Sequence, residues 1–108
     1  MNRKEAIRTY KERKTPRGVF AVRSATGRVW VGSSPNLEAA QNATWFGLRL
    51  GSHRDRPLQE EWNAQGEPSF RFEVLEKLDD DVTPMAVRDL LKEKKGEWAA
   101  RLGALTLL

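Results

Sequence analysis

The chain has 108 residues, of which 39% are hydrophobic and 31% charged, and its net charge at pH 7 is +4. This length and composition predict one folded domain around a single hydrophobic core and exclude an intrinsically disordered protein. The lack of cysteine excludes a disulfide framework and a thiolate metal site, and it is consistent with a reducing cytoplasm. No apolar run is long enough to span a bilayer. The sequence therefore predicts a cytoplasmic protein without a membrane partner.

Positive charge is concentrated at the N-terminus. Residues 1–17 carry seven Lys and Arg side chains against Glu5 and Glu12. Residues 2–14 contain neither Gly nor Pro, which favours a basic helix that ends before Pro16. Such an arm neutralises the phosphates of a nucleic acid, and the alternative is a solvated helix that only maintains solubility.

The next elements are a hairpin and two helices. Two β-forming runs, residues 18–23 and 28–31, flank a turn that contains Gly27, which predicts an antiparallel hairpin. Residues 37–50 predict a helix with a side-chain cap from the preceding Asn. Residues 57–65 predict a shorter helix, with Pro at its first position and Gly after its end.

Residues 70–75 alternate between apolar and charged side chains, which predicts a third strand. Thr83 and Pro84 are typical of the start of a last helix. The element order predicts an α+β domain with a small three-stranded antiparallel sheet flanked by helices. Its parts are a basic N-terminal helix (1–17), the main domain (18–102) and a C-terminal tail (103–108). The aromatic side chains predicted for the core are Trp45, Phe46, Trp62, Phe70, Phe72 and Trp98.

Two short motifs lie on the predicted hairpin. Residues 18–20 (Gly-Val-Phe) and 30–32 (Trp-Val-Gly) resemble the Gly-Ile-Tyr and Tyr-Ile-Gly elements of the GIY-YIG nuclease superfamily. The sequence Gly-Ser-His at 51–53, with Leu-Gln and Trp-Asn pairs after it, is similar to the homing-endonuclease branch of that superfamily. The resemblance covers about residues 18–77 and implies a hairpin, two helices, a third strand and a closing helix.

The resemblance also implies a chemistry, namely phosphodiester hydrolysis with Mg²⁺ or Mn²⁺ held by a Glu on the closing helix. An Arg on the first long helix would stabilise phosphate charge. At the matching positions this chain has Ala40 instead of the Arg and Lys95 instead of the Glu. The two motif tyrosines are replaced by Phe20 and Trp30, whereas His53 is retained as a candidate catalytic imidazole.

Two further sets of site residues follow from these positions. Glu93 and Glu97 are the alternative metal ligands if the register of the closing helix shifts by two residues. A basic rim is the predicted nucleic-acid-binding surface, because guanidinium groups match phosphate oxygens. The residues predicted for it are Arg23, Arg28, Arg54, Arg56 and Asn63.

Three functions remain open on the sequence. The leading hypothesis is a protein on a GIY-YIG scaffold that binds DNA or another nucleic acid, with weak or lost hydrolysis. One alternative is an active divalent-metal-dependent DNA endonuclease. The other is a non-catalytic protein-interaction module that uses the acidic region 58–82 as its contact surface. The sequence does not determine the oligomeric state.

Overall fold

A hairpin forms the centre of the sheet in the computed structural model, which describes residues 15–107. Within these residues the sheet has four strands, namely β1 (Gly18–Ser24), β2 (Val29–Ser34), β3 (Phe70–Lys77) and β4 (Leu105–Thr106). β1 pairs with both β2 and β3 in the antiparallel sense, while β4 pairs with β2 in parallel. The strand order is therefore β3-β1-β2-β4.

Three helices cover this sheet. They are α1 (Leu37–Arg49), α2 (Arg56–Gln65) and α3 (Pro84–Leu102), and a short 3₁₀ turn at Glu67–Ser69 leads into β3. Each helix begins at a side-chain cap, because Asn36, Asp55 and Thr83 accept a hydrogen bond from a backbone N–H three residues later. No helix within residues 15–107 is both long enough and apolar enough to cross a lipid bilayer.

The two faces of the hairpin pack against different helices. Phe20 and Trp30 lie on one face, in a cluster with buried side chains of α1 and α2. Val19 and Val31 lie on the other face, where they pack against Ala99 of α3. The alternation of β-strand side chains thus places the sheet between an α1–α2 layer and α3.

The predicted α+β architecture is confirmed, with one more strand than expected. The segment predicted as a tail (103–108) contributes β4, and the N–H of Leu107 donates to the carbonyl of Val31 at 2.8 Å. β4 has two residues, too few to show an alternating pattern in the sequence. Residues 15–17 are not helical, and the rest of the predicted N-terminal helix lies outside the described residues.

The prediction that Phe46 belongs to the core is wrong. Its relative exposure is 62%, whereas the other five aromatic side chains predicted for the core are buried or partly buried. The residues of α1 that face the sheet include Thr44, Trp45 and Leu48. Phe46 follows Trp45 by about 100° around the helix, so it points away from the sheet toward solvent.

Gly32 provides a test of the packing between the hairpin and β4. A Cβ at this position would lie 2.6 Å from Cζ of Phe20 and 2.9 Å from Cδ1 of Leu107. We expect Gly32→Ala to lower the free energy of unfolding by about 1–3 kcal/mol, because both side chains must move. Urea denaturation followed by tryptophan fluorescence measures this change.

Gly96 offers a matched control for the same measurement. It lies within α3, and no heavy atom is found within 4 Å of a Cβ placed there. Gly96→Ala should therefore raise the free energy of unfolding by about 0.5–1 kcal/mol, through the higher helix propensity of Ala. A Gly32→Ala variant as stable as Gly96→Ala would contradict the packing described for β4.

Candidate functional site

A cavity of about 370 Å³ opens between the end of β2, α1 and the loop after α1. It is lined by Phe20, Gly32, Ser33, Ser34, Ala40, Ala43, Thr44, His53, Arg54, Lys95 and Leu107. These residues come from β1, β2, three further segments and the chain after β4. The fold therefore gathers side chains that are far apart in the sequence, and Ala40 and Lys95 are among them.

The two aromatic motif positions have different surroundings. Phe20 lines the cavity and stacks on Phe72, with ring centroids 4.7 Å apart. Trp30 has a relative exposure of 0% and belongs to the core between the sheet and the α1–α2 layer. Its indole N–H has no hydrogen-bond partner among the described residues. Trp30 therefore supports the sheet and cannot contact a ligand in the cavity.

His53 is held in place by hydrogen bonds on both its backbone and its ring. The N–H of His53 donates to Oε1 of Gln59 at 3.0 Å, and Gln59 Nε2 donates to the carbonyl of Leu48 at 3.0 Å. The N–H of Asp55 donates to Nδ1 of the imidazole at 3.0 Å. Because Nδ1 is the acceptor, the neutral ring carries its proton on Nε2. His53 is thus a hydrogen-bond donor with no free lone pair for general-base catalysis.

The surroundings of His53 also set its charge. Burial lowers the pKa of the imidazole, the Asp55 carboxylate raises it in part, and the Arg54 guanidinium adds to the lowering. The net shift is downward from the ordinary histidine value of about 6.5, so the ring is neutral at pH 7. The positive charge of the cavity at this pH therefore comes from Arg54 and Lys95.

Lys95 occupies the position that the resemblance gives to the metal-binding Glu. Its Nζ donates to the backbone carbonyl of Leu107 at 3.3 Å, and the side chain lines the cavity. Neither Glu93 nor Glu97 lines this cavity, and Glu97 forms an ion pair with Lys94 at 3.5 Å. The alternative metal ligands are therefore not brought to the site.

The residues of the site do not fit a divalent metal. Among residues 15–107 no carboxylate lines the cavity, and two of its lining side chains are cations that would repel Mg²⁺ or Mn²⁺. Within residues 15–107, no three His, Cys, Asp or Glu side chains come together in an arrangement that could hold a metal ion.

Two further spaces adjoin the cavity, and each of them shares lining residues with it. On one side, a space of about 540 Å³ shares Ser33 and Lys95 with the cavity and adds Arg88 and Lys92. On the other side, a space of about 280 Å³ is lined by residues on either side of His53 and by Gly47 of α1. We call these three connected spaces the basic groove.

Two cations of α3 in the basic groove, Arg88 and Lys92, were not identified from the sequence, and Lys95 was identified only as the residue at the position of the Glu. Arg88, Lys92 and Lys95 are spaced four and three residues apart, which places them on one face of the helix. None of them, nor Arg54, forms an ion pair with another residue of the described range 15–107. Asp89 is the single carboxylate within that range that lines the groove.

The predicted rim of arginines does not come together. Arg54 lies in the basic groove, but Arg23 pairs with Glu73 at 2.9 Å and Arg28 approaches Glu61 at 3.6 Å. Both of these arginines lie near the turn of the hairpin, at the opposite end from the cavity. The two remaining predicted residues are on α2 and do not line the groove, namely Arg56 and Asn63.

Comparison with known proteins identifies the fold. No protein-family model matches this sequence, and no curated protein matches it. A solved structure, the catalytic domain of the homing endonuclease I-TevI, matches with a TM-score of 0.71 and 23% sequence identity, over 85% of this chain and 98% of that domain. The chain has a GIY-YIG-like fold. At this identity the similarity establishes the fold, and the activity depends on the site.

The cavity contains two positions at which the sequence resemblance expects catalytic residues. The positions that the sequence resemblance assigns to the catalytic Arg and Glu are Ala40 and Lys95, and both line the same cavity. The structure thus brings these two positions of the sequence together in one pocket. His53 lies in that pocket, in the hydrogen-bonded arrangement described above.

His53 is the only histidine in the chain, so its imidazole protons give a single resolved NMR titration. We expect a pKa below about 6.5, because burial disfavours the imidazolium. As the pH falls through the ordinary value of about 6.5, His53 of the unfolded chain binds a proton while His53 of the folded chain stays neutral, so the free energy of unfolding decreases on acidification. A His53→Asn variant should lose this part of the pH dependence. A pKa at or above the ordinary value would contradict the buried arrangement.

Proposed function

We propose that this protein binds the phosphate backbone of nucleic acids and hydrolyses it weakly or not at all. The observation that carries the proposal is that Lys95, the residue at the position where the sequence resemblance expects a metal-binding Glu, lines the cavity. A cation at that position attracts a phosphate and repels a divalent metal. The same residue therefore supports binding and argues against metal-dependent cleavage.

The charge of the basic groove supports the binding half of the proposal. Its cations are Arg54, Arg88, Lys92 and Lys95, and Asp89 is the carboxylate among them. Cations that form no ion pair within residues 15–107 are available to replace the counterions that surround a nucleic acid, and this release drives salt-dependent association. Contacts of this kind position a backbone without reading its sequence, so we propose binding without base specificity.

The other half of the proposal rests on which groups line the cavity. Ala40 offers no charge to a phosphate, and the loss of one charge-stabilising group commonly lowers a rate by ~10²–10³. Phe20 has no hydroxyl with which to relay a proton. Nδ1 of His53 already accepts the N–H of Asp55. The motif Arg and the motif Tyr hydroxyl are thus missing at these positions, and Nδ1 of the remaining imidazole is already engaged.

Neutralising Lys95 tests the binding role. We expect Lys95→Gln to weaken binding of an oligonucleotide in EDTA and to reduce the slope of log K against log salt by about 0.7–0.9, the change for one phosphate contact. Fluorescence anisotropy over a series of salt concentrations measures both quantities. The glutamine amide retains a donor for the carbonyl of Leu107, which limits damage to the fold.

Arg71→Gln is the matched control, since it removes the same charge at an exposed position of β3. Arg71 is in register with Arg23, close to the turn of the hairpin and away from the basic groove. Its variant should keep the salt slope of the wild-type protein. Equal slopes for Lys95→Gln and Arg71→Gln would mean that the net charge of the protein, and not the groove, is responsible for binding.

A plasmid assay separates binding from cleavage. We expect no metal-dependent nicking of supercoiled DNA in Mg²⁺ or Mn²⁺, while the same samples show a salt-sensitive mobility shift. Nicking that EDTA and His53→Ala both abolish would contradict the proposal and favour the active endonuclease. Absence of both nicking and binding would favour the protein-interaction module with its acidic region 58–82.

A further inference from the structure

An exposed apolar stripe runs along α1 beside the basic groove. Phe46 of α1 and the C-cap residue Leu50 have relative exposures of 62% and 64%, and their spacing of four residues places them on the same side of the helix. Ala43 and Gly47 continue the stripe at the same helical spacing. The sheet-facing positions of α1 are filled by other side chains, so the stripe is left without a partner within residues 15–107.

Phe46 is a neighbour, on the surface of α1, of residues that line the groove. Ala43, which lines two of the connected spaces, is three residues from Phe46 and therefore its neighbour on the helix surface. Gly47, the next residue in the chain, lines the groove as well, and a Cβ there would lie 3.6 Å from Cδ2 of His53. Gly47 thus adds no side chain at the point where one would contact His53.

We propose that Phe46 is a stacking platform for an unpaired base, and that the preferred ligand of the groove is single-stranded nucleic acid. The inference rests on the proposed function, because the cations of the groove must hold the backbone while a base reaches the ring. An aromatic ring beside a cationic channel is the arrangement that single-strand-binding proteins use, since every base presents a π face whatever its sequence.

The stripe itself favours a single strand over a duplex. In a duplex each base is stacked between its neighbours, so no base face is available to Phe46 and the protein gains phosphate contacts alone. An unpaired strand offers the same phosphates together with free base faces. Leu50, one turn further along α1, extends the apolar surface on which an adjacent base would lie.

The charge of the groove also argues against a second copy of the chain as the partner of this stripe. A symmetric dimer through α1 would place the same surface on both sides of the contact. It would bring two copies of the basic groove together, with Arg54 of each chain beside the interface. Like charges so placed repel each other, whereas a polyanion neutralises them.

The test compares a short single-stranded oligonucleotide with its own duplex. Both carry 2-aminopurine, whose fluorescence is quenched when the base stacks on an aromatic ring. We expect wild type to bind the single strand more tightly and quench it, and Phe46→Ala to weaken single-strand binding by about tenfold with the duplex unchanged. Phe46→Leu should behave like the alanine variant, and Phe46→Trp should restore both affinity and quenching.

Met85→Ala is the matched control, because Met85 is 91% exposed and lies at the start of α3, outside the groove. It should leave binding to both oligonucleotides unchanged. Urea denaturation should show equal stability for the wild type and the Phe46 variants, since the ring is exposed. This comparison separates loss of stacking from loss of fold.

The outcomes distinguish this inference from the proposed function. If single strand and duplex bind with equal affinity, and Phe46→Ala changes neither, the stacking platform is overturned while phosphate binding stands. If wild type binds neither, both are overturned. If Phe46→Ala dissociates a dimer in sedimentation velocity without changing the affinity for the single strand, the stripe is a self-association surface and the inference is wrong.

Discussion

The pairing of β1 with β2 is the constraint on which the rest of the structure depends, because it sets Phe20 opposite Gly32. The missing side chain at Gly32 lets Leu107 approach the ring of Phe20 from the other side. That contact helps place β4 beside β2, and the carbonyl of Leu107 then accepts the hydrogen bond from Lys95. The absence of a side chain at Gly32 thus allows the contacts that join the hairpin to Leu107 and, through the carbonyl of Leu107, to Lys95 of α3.

A second set of interactions holds the loop between α1 and α2. The buried side chain of Gln59 accepts a hydrogen bond from the N–H of His53 and donates one to the carbonyl of Leu48. The side chain of Asp55 caps α2, and its backbone N–H donates to the imidazole. A buried polar network in which each member has a partner is rigid, because breaking one bond leaves a costly unpaired group. Arg54 lies within this loop, so its backbone is fixed relative to the groove.

Local signals in the sequence predicted most of the elements. The caps at Asn36 and Thr83 and the period-two pattern that begins at Phe70 describe interactions within a few residues, and the structure confirms these helices and this strand. Phe46 was misassigned because Thr44 takes a sheet-facing position that a hydrophobic pattern gives to an apolar residue. Its exposure depends on how α1 packs on the sheet, which no local pattern reveals.

The site was harder to predict because its charge comes from elements on both faces of the sheet. The spacing of Arg88, Lys92 and Lys95 is visible in the sequence, but a helix face rich in lysine is usually only solvated. The tertiary fold places these residues beside the cavity that His53 and Arg54 also line, so that one ligand can contact all of them. A local sequence pattern does not contain this information.

The charge at Lys95 also explains how a GIY-YIG-like fold retains a nucleic-acid surface under the proposed function. A glutamate with a bound divalent cation carries a net charge of about +1, and a lysine ammonium carries the same charge without a metal. The replacement therefore preserves the attraction for a phosphate at this point of the cavity. In the proposed function this ammonium group does not supply the Lewis acidity of a metal, so the cation at this position serves binding and not hydrolysis.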